Sequence, residues 1–571
     1  MDNELNDILN SIDELALRGG LSRNRAFSAW FAINFFDVEE DEALESAAAD
    51  GGNDQGIDIA FADSSSEEIV VLQAHCPENF TKRTPKPKWD AVVGALPFIR
   101  EPKRLAGAGR PDLAEALDGL KTKHPTYTYA VGLITLGLKS DAIEASVHAH
   151  ENDSSNAGIT FFHYPQEEIK SRYKALIDAE AGIPEDRLHF TGTHFEDGGD
   201  YGRAWIGSVE APELKRLHQA HQDKLFAGNV RLFLGTRKGG INEQIIKTAQ
   251  TAPGNFWALN NGITIVADSA ELVRTKKGQP TTLKLKRFSI VNGCQTTNSL
   301  VRADAKSTAK VLARVIAAKT GLKNEIVRYN NLQNAVKIWT VRAVDDIQED
   351  LRRQFQAVGV NYAPKQSGSR KRRDSSTIEL DKLAQYLAST RQQYLIQAID
   401  NKSELFDEPY QTLFKKGIKA TSVYLAWLVG SMADQERLAL LQGLGSDPNA
   451  NLLGVTSAYW IVYCAYKMID KFSDVNSTQI NFSKMMHNDF NNAVLKYVKK
   501  AVSMFYDAAV DTYDRDQYGS FKSTLRSSKF LSKIDSKMNS RIVKLPAKAL
   551  PDLAAVAKSI NLAAGHGKQA K

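Results

Sequence analysis

At 571 residues the chain has room for two to four domains, and its 43% hydrophobic and 25% charged residues are those of an ordinary globular protein. No apolar run reaches the ~18 residues of a membrane span and no signal-peptide pattern is present, so a cytoplasmic location is expected; Cys76, Cys294 and Cys464 stand too far apart for a structural zinc or a disulfide framework. The net charge of +6 hides an asymmetry: residues 1–68 hold 17 Asp and Glu against Arg18, Arg23 and Arg25, a net of −14 that leaves +20 on the remainder. The acidic segment reads either as a solvated face or as a surface that packs on a basic one, in this chain or in a partner.

In chain order, Asn3 to Leu17 reads as an amphipathic helix that stops at Gly19-Gly20, and Arg23 to Phe36 as a strongly apolar helix. A run of acids follows, Glu39, Glu40, Glu42 and Glu45. Next comes a Gly-rich turn in which Gly51, Gly52 and Gly56 bring Asp54 and Asp58 together. Ile57 to Phe61 alternates as a strand, Ser64, Ser65 and Ser66 turn the chain, and Ile69 to Leu72 returns as a buried strand ending in Gln73 and His75. Residues two apart on a strand share a face, so Gln73 and His75 point the same way. A carboxylate, an amide oxygen and an imidazole at neighbouring strand ends form a set that can hold a hard divalent cation beside a phosphodiester. Cys76 to Lys88 reads as a loop, whose Arg83, Lys86 and Lys88 are placed to approach a nucleic-acid backbone or to be solvated, and Trp89 to Arg100 as a helix. Tyr127 to Leu136 and Ile159 to Tyr164 are further strands, with helical stretches between them and on to about Glu180.

Asp58 followed by Gln73-x-His75 resembles the PD-(D/E)XK nuclease core, and within it the Mrr-like branch that carries Gln in the second motif. The resemblance implies that Asp58 and Gln73 hold Mg²⁺ or Mn²⁺, with Glu45 as the nearest acid for a third ligand, and that Asp58, Gln73 and His75 are the catalytic set. The chain departs from the pattern at His75, where the family carries Lys. An imidazole of ordinary pKa ~6.5 would serve there as a general base but poorly as a phosphate-neutralising cation.

A second unit begins near Asp186. It carries Leu225 to Arg231, then FWALNNGITI over 256–265, VNGCQTTN over 291–298, and NNLQN over 330–334. Amides this dense beside apolar runs must find partners in a network or in a ligand, because an unpaired buried amide costs several kcal/mol. Asn260, Asn261, Asn292, Gln295 and Arg328 are the candidates for a ligand-binding cluster, and a purely structural network is the competing reading. These clusters, in this order, are similar to the AIPR family, named for abortive infection and phage resistance. That resemblance covers about 186–375 and brings an N-terminal nuclease-like segment with it, which strengthens the reading of Asp58 and Gln73.

Asn361 to Asp374 reads as an exposed loop in which Arg370, Lys371, Arg372 and Arg373 suit phosphate contact. From Thr377 the chain turns helical, with helices expected over Leu380–Arg391, Ala420–Ala433, Ala458–Phe472 and Phe490–Val510, and Trp427, Trp460 and Tyr466 in their core. Lys522, Arg526, Lys529, Lys533 and Lys537 recur at helical spacing, which predicts five cations on one helical face. That face is solvated, tracks DNA, or docks the acidic N-terminal segment.

The expected architecture is α/β and α+β multidomain: a restriction-endonuclease-like α/β core over 1–180, a mixed α/β AIPR domain over 186–375, and an all-α region over 376–571. The resemblances imply a bacterial antiphage protein, a Mg-dependent nuclease acting on DNA. The alternative is a nuclease fold without chemistry that senses nucleic acid or a phage component. The expected partner is nucleic acid, double-stranded DNA first, with no membrane; a homo-oligomer and a phage-encoded trigger are left open.

Overall fold

A computed structural model describes residues 3–48, 56–64, 66–178, 183–226, 241–273, 281–304, 308–319, 326, 342, 345–363, 377–445, 447–475 and 480–560. The chain forms two compact units. One comprises Met1–Leu17, Leu21–Val336 and Gly368–Arg372, and the other Arg18–Gly20, Lys337–Ser367 and Arg373–Lys571.

The first unit opens with α1 (Asn3–Gly19), α2 (Arg23–Phe36) and α3 (Glu40–Ala48), the last with Glu40, Asp41 and Glu42 in its first turn. Acids there complement the positive end of the helix dipole, which explains why a stretch read only as an acidic run is helical. A four-stranded sheet follows in the order β1 (Ile59–Asp63), β2 (Glu68–His75), β3 (Thr128–Thr135), β4 (Ile159–Tyr164). The β1–β2 hairpin is antiparallel, whereas β2, β3 and β4 run parallel, so their C-terminal ends lie along one edge. Helices α4 (Lys86–Gly94), α5 (Leu96–Arg100), α6 (Arg104–Gly107) and α7 (Pro111–Lys123) connect β2 to β3, and α8 (Asp141–Asn152) connects β3 to β4. Helix α9 (Gln166–Asp178) then leaves the sheet.

Two helical layers cover the sheet. Val71, Val131, Leu133 and Phe161 meet Trp89, Val92, Leu113, Leu117 and Ile143 on one side. On the other, Phe36 packs edge-on against Phe61 at 5.0 Å and Phe31 lies 6.0 Å from Tyr164, while Trp30 donates to Ser11 Oγ. This accounts for the nearly uniform burial of β2 and β4, since parallel strands under two layers bury both faces.

A second sheet of the same unit contains β5 (Ile183–Gly199), β6 (Gly202–Glu210), β7 (Ile263–Ala267), β8 (Ser269–Val273), β9 (Thr281–Asn292) and β10 (Lys310–Ala318), ordered β5-β6-β10-β7-β9-β8. Strand β5 pairs with β9 through its first half and with β6 through its second, so the strands close into a small barrel. Its register shifts between Thr191 and His194, a bend that long β5 needs to border two partners. Helices α10 (Ala211–His221), α11 (Ile241–Thr251), the short α12 (Phe256–Leu259) and α13 (Cys294–Arg302) accompany this sheet, and Leu214, Leu217 and Leu300 join its core.

The other unit is helical. Its longest helices are Ala420–Leu444, Asn488–Val510, Ser457–Phe472 and Ser528–Val543. Trp460 is fully buried with its indole N–H on the Leu525 carbonyl, and Trp427 and Tyr466 pack partly buried against the same core. The helix begun at Ala420 runs on well past Ala433, carrying Arg437 into the core, where Nη1 donates to the Leu453 carbonyl. Helix Asp346–Gln356 and strand Tyr362–Ala363 belong to this unit.

Candidate functional site

At the C-terminal edge of the first sheet, Asp58 stands one residue before β1. Its N–H donates to the Leu72 carbonyl, and its Oδ2 accepts the Ala74 N–H at 2.7 Å. The carboxylate thus takes the place of the next ladder carbonyl, pinned against the peptide that joins Gln73 to Ala74. Gln73 is 4% exposed, and its Oε1 is buried without a hydrogen-bond partner. A buried orphan acceptor is costly, on the order of 1–3 kcal/mol, unless a donor or a cation reaches it. His75 lies two residues on, on the same strand face, half-buried where the chain leaves the sheet. Burial first, and then the nearby Lys88 ammonium, push its pKa down to about 4. The imidazole is therefore neutral at physiological pH, and its pKa lies below the ordinary value of ~6.5 from which the sequence reading started. A charged imidazole would have to lose hydration and face a like charge.

Gln73 and His75 point toward the side that α4 covers, since their strand-mates Ile69 and Val71 pack on Trp89 and Val92. The loop from Cys76 is fixed over the sheet edge: Thr84 Oγ1 lies 3.0 Å from Thr135 Oγ1, and the Thr84 N–H donates to the Leu138 carbonyl. Helix α4 starts at Lys86, three residues before the expected helix, with Pro87 in its first turn. Of the three cations read as loop residues, Arg83 pairs with Asp141 at 2.7 Å and Lys86 with Asp90 at 2.5 Å. The Lys88 ammonium has no ion-pair or hydrogen-bond partner among the described residues.

Glu45 lies half-buried on α3. Among the described residues no three of His, Cys, Asp and Glu converge as a metal-holding group, so Glu45 does not join Asp58 and His75 in one. Asp54 lies outside the described residues. Burial pushes the Cys76 thiol up to about 11, which favours its protonated form. A further buried pair, invisible in the sequence, adjoins this layer. His163 stands across Leu133 from Gln73 in the strand register, and its Nδ1 lies 2.7 Å from Glu144 Oε1 on α8. The hydrogen bond from His163 holds the Glu144 carboxyl below its usual range.

In the second sheet the two Asn-Gly motifs meet. Gly262 (φ 79°) and Gly293 (φ 99°) both take the left-handed conformation, and a Cβ on Gly293 would come within 2.5 Å of Ile263 Cγ2 and 3.1 Å of the Gly262 carbonyl. Asn260 Oδ1 accepts from the Gly262 N–H at 3.0 Å and from Thr296 Oγ1 at 3.2 Å, so it ties the start of β7 to the start of α13. Thr264 pairs with Asn292 on one side and Arg314 on the other, and Arg314 Nη2 donates to Thr264 Oγ1 at 3.2 Å. Gln295 is half-buried on α13, and Asn261 is exposed. Asn260 therefore has a structural task; Arg328 lies outside the described residues, as do Arg370, Lys371, Arg372 and Arg373.

The predicted single face of five cations is corrected. The helix breaks at Arg526–Ser527, where Ser527 Oγ caps the next helix by accepting from the Phe530 N–H, so Lys522 belongs to Phe521–Leu525 and Lys529, Lys533 and Lys537 to Ser528–Val543. Arg526 pairs with Asp400 at 3.2 Å, Lys533 donates to Gln517 Oε1 at 3.1 Å, and Lys537 to the Asp511 carbonyl at 2.8 Å. Most of the stripe is thus engaged within its own unit.

No helix among the described residues is long and apolar enough to cross a membrane. A family model described as AIPR protein matches residues 226–512, half of the chain. No curated protein and no solved structure matches.

Proposed function

The chain belongs to the AIPR family, which is linked to abortive infection and phage resistance, and from this we propose that it is an antiphage defence protein that hydrolyses nucleic-acid phosphodiester bonds at the Asp58–Gln73 edge of the first sheet. The observation that carries the reading is the buried, partnerless Gln73 Oε1 beside a carboxylate fixed by the Ala74 N–H. Natural cores seldom keep an orphan acceptor, and one next to an Asp at the C-terminal ends of parallel strands suits a hard cation.

Asp58 and Gln73 are the residues that would hold Mg²⁺ or Mn²⁺; bound there, the ion supplies charge that activates water and offsets the phosphorane. The chain's own groups do the rest. The ladder bond to Ala74 keeps the Asp58 carboxylate from turning away. His75, neutral and on the same face as Gln73, offers a lone pair to an incoming water. Double-stranded DNA is the first substrate to test.

A second reading, a nuclease fold that senses nucleic acid without cutting it, draws support from the lack, among the described residues, of a cluster of three His, Cys, Asp or Glu at this edge and from the neutral imidazole at 75. Cleavage separates the two. Purified protein with Mg²⁺ or Mn²⁺ is expected to cut DNA or RNA, and Asp58→Ala to abolish it. Cutting that appears only in His75→Lys, or in no variant at all, would decide for the sensor.

A further inference from the structure

The site described above offers a carboxylate and an amide oxygen, and neither can receive an anionic phosphodiester by charge. We propose that Lys88 is a substrate-binding residue of this site: its ammonium contacts the phosphodiester beside Gln73 and His75. This rests on the reading that nucleic acid lies at the Asp58–Gln73 edge.

Three observations support this role for Lys88. First, α4 is fastened to the sheet face toward which Gln73 and His75 point, through Trp89 and Val92, and the Trp89 indole N–H donates to Ser146 Oγ at 3.1 Å. Lys88 is the immediate neighbour of that anchor. Second, α4 touches the backbone leading into Asp58. A Cβ on Gly56 would come within 2.2 Å of the Ala91 carbonyl oxygen, and Lys88 lies three residues before Ala91, on the same helical face one turn away. Third, Lys88 is half-buried and finds no carboxylate among the described residues, whereas Arg83 and Lys86 around it both do. An ammonium with no anion beside it is available to a ligand that brings one, such as a phosphate.

The test is binding, read apart from cleavage. Full-length protein in Ca²⁺ is titrated with a fluorescent duplex and with single-stranded DNA and RNA oligonucleotides, across a salt series. Lys88→Met is expected to weaken binding about tenfold at low salt, as loss of one charged hydrogen bond does. It is also expected to flatten the plot of log K against log salt by about one unit, the signature of one lost phosphate contact. Lys88→Arg keeps the slope, and Lys86→Met, whose parent is already paired with Asp90, matches wild type. Thermal melting of each variant separates a lost contact from a lost fold, and Lys88→Gln replaces Lys88→Met if the latter melts early. An unchanged slope in folded Lys88→Met, or wild-type protein that binds none of the oligonucleotides, would overturn the proposal. A slope that falls as expected in protein that cuts nothing with Mg²⁺ or Mn²⁺ upholds Lys88 and rejects only the hydrolytic reading.

Discussion

Gly56 is where the site is most exposed to a single methyl group. It takes φ 78°, and an added Cβ would meet the Ala91 carbonyl oxygen at 2.2 Å and its carbon at 2.6 Å, both backbone atoms of α4 that no rotamer change can remove. The left-handed conformation alone costs a non-glycine residue roughly 1–2 kcal/mol. Relieving the overlap requires moving either α4 or the segment before Asp58, a further cost of about 1–3 kcal/mol. Gly56→Ala is thus expected to destabilise this layer by roughly 2–5 kcal/mol. The matched control is Gly94→Ala at the other end of α4, where a Cβ meets nothing within 4 Å; there the change should stabilise by about 0.5 kcal/mol. Hydrogen exchange of the Val70–Ala74 and Lys88–Val92 amides reads this layer independently of the rest of the chain. Opening free energies that stay within about 0.5 kcal/mol of wild type in Gly56→Ala would refute the close approach of α4 to Gly56.

Gln73→Leu removes an orphaned acceptor and should raise the melting temperature in metal-free buffer, a gain of about 1 kcal/mol, while abolishing the stabilisation that Mn²⁺ gives wild type; equal Mn²⁺ shifts in both would count against Gln73 as a ligand. Asn260→Ala should cost about 1–2 kcal/mol in urea unfolding because two donors lose their acceptor, whereas exposed Asn261→Ala should cost almost nothing. Glu144 has a folded pKa below its unfolded value, so its charge stabilises the protein above the unfolded pKa and ceases to do so as pH falls through the folded one. Glu144→Gln should therefore be less stable than wild type at pH 7, by no more than about 1 kcal/mol given its partial exposure, and the gap should close on acidification; a gap that widens instead would contradict the His163–Glu144 bond.

How much of this was legible in the chain depends on the kind of signal. Helix α2 and strands β2, β3 and β4 were readable because continuous apolar runs mark elements buried on both sides. That Gln73 and His75 share a face followed from the two-residue period alone. Helix α4 was read late because Pro85, Lys86, Pro87 and Lys88 look like loop, although proline in the first turn is compatible with a helix start. Lys88 is visible in the sequence as one of three cations, but what sets it apart from Arg83 and Lys86 depends on its helical position and on their ion pairs. The polarity of β5 concealed a strand that bends between two partners and leaves much of its length exposed. His163 and Glu144 are ordinary residues on different elements, and nothing in spacing announces a contact that only packing creates. The stripe at 522–537 failed for a local reason: serine at 527 starts a new helix, and a cap resets the helical phase that the spacing assumed.

The most direct test of the account is protection itself. Cells carrying the wild-type chain, Asp58→Ala or Lys88→Met at matched protein levels are challenged with phage, and plating efficiency is scored beside the integrity of the nucleic acid. The account predicts that wild type suppresses plaques with fragmented nucleic acid, that Asp58→Ala loses both effects, and that Lys88→Met loses most of each. Full protection by Asp58→Ala, with nucleic acid intact, would contradict it.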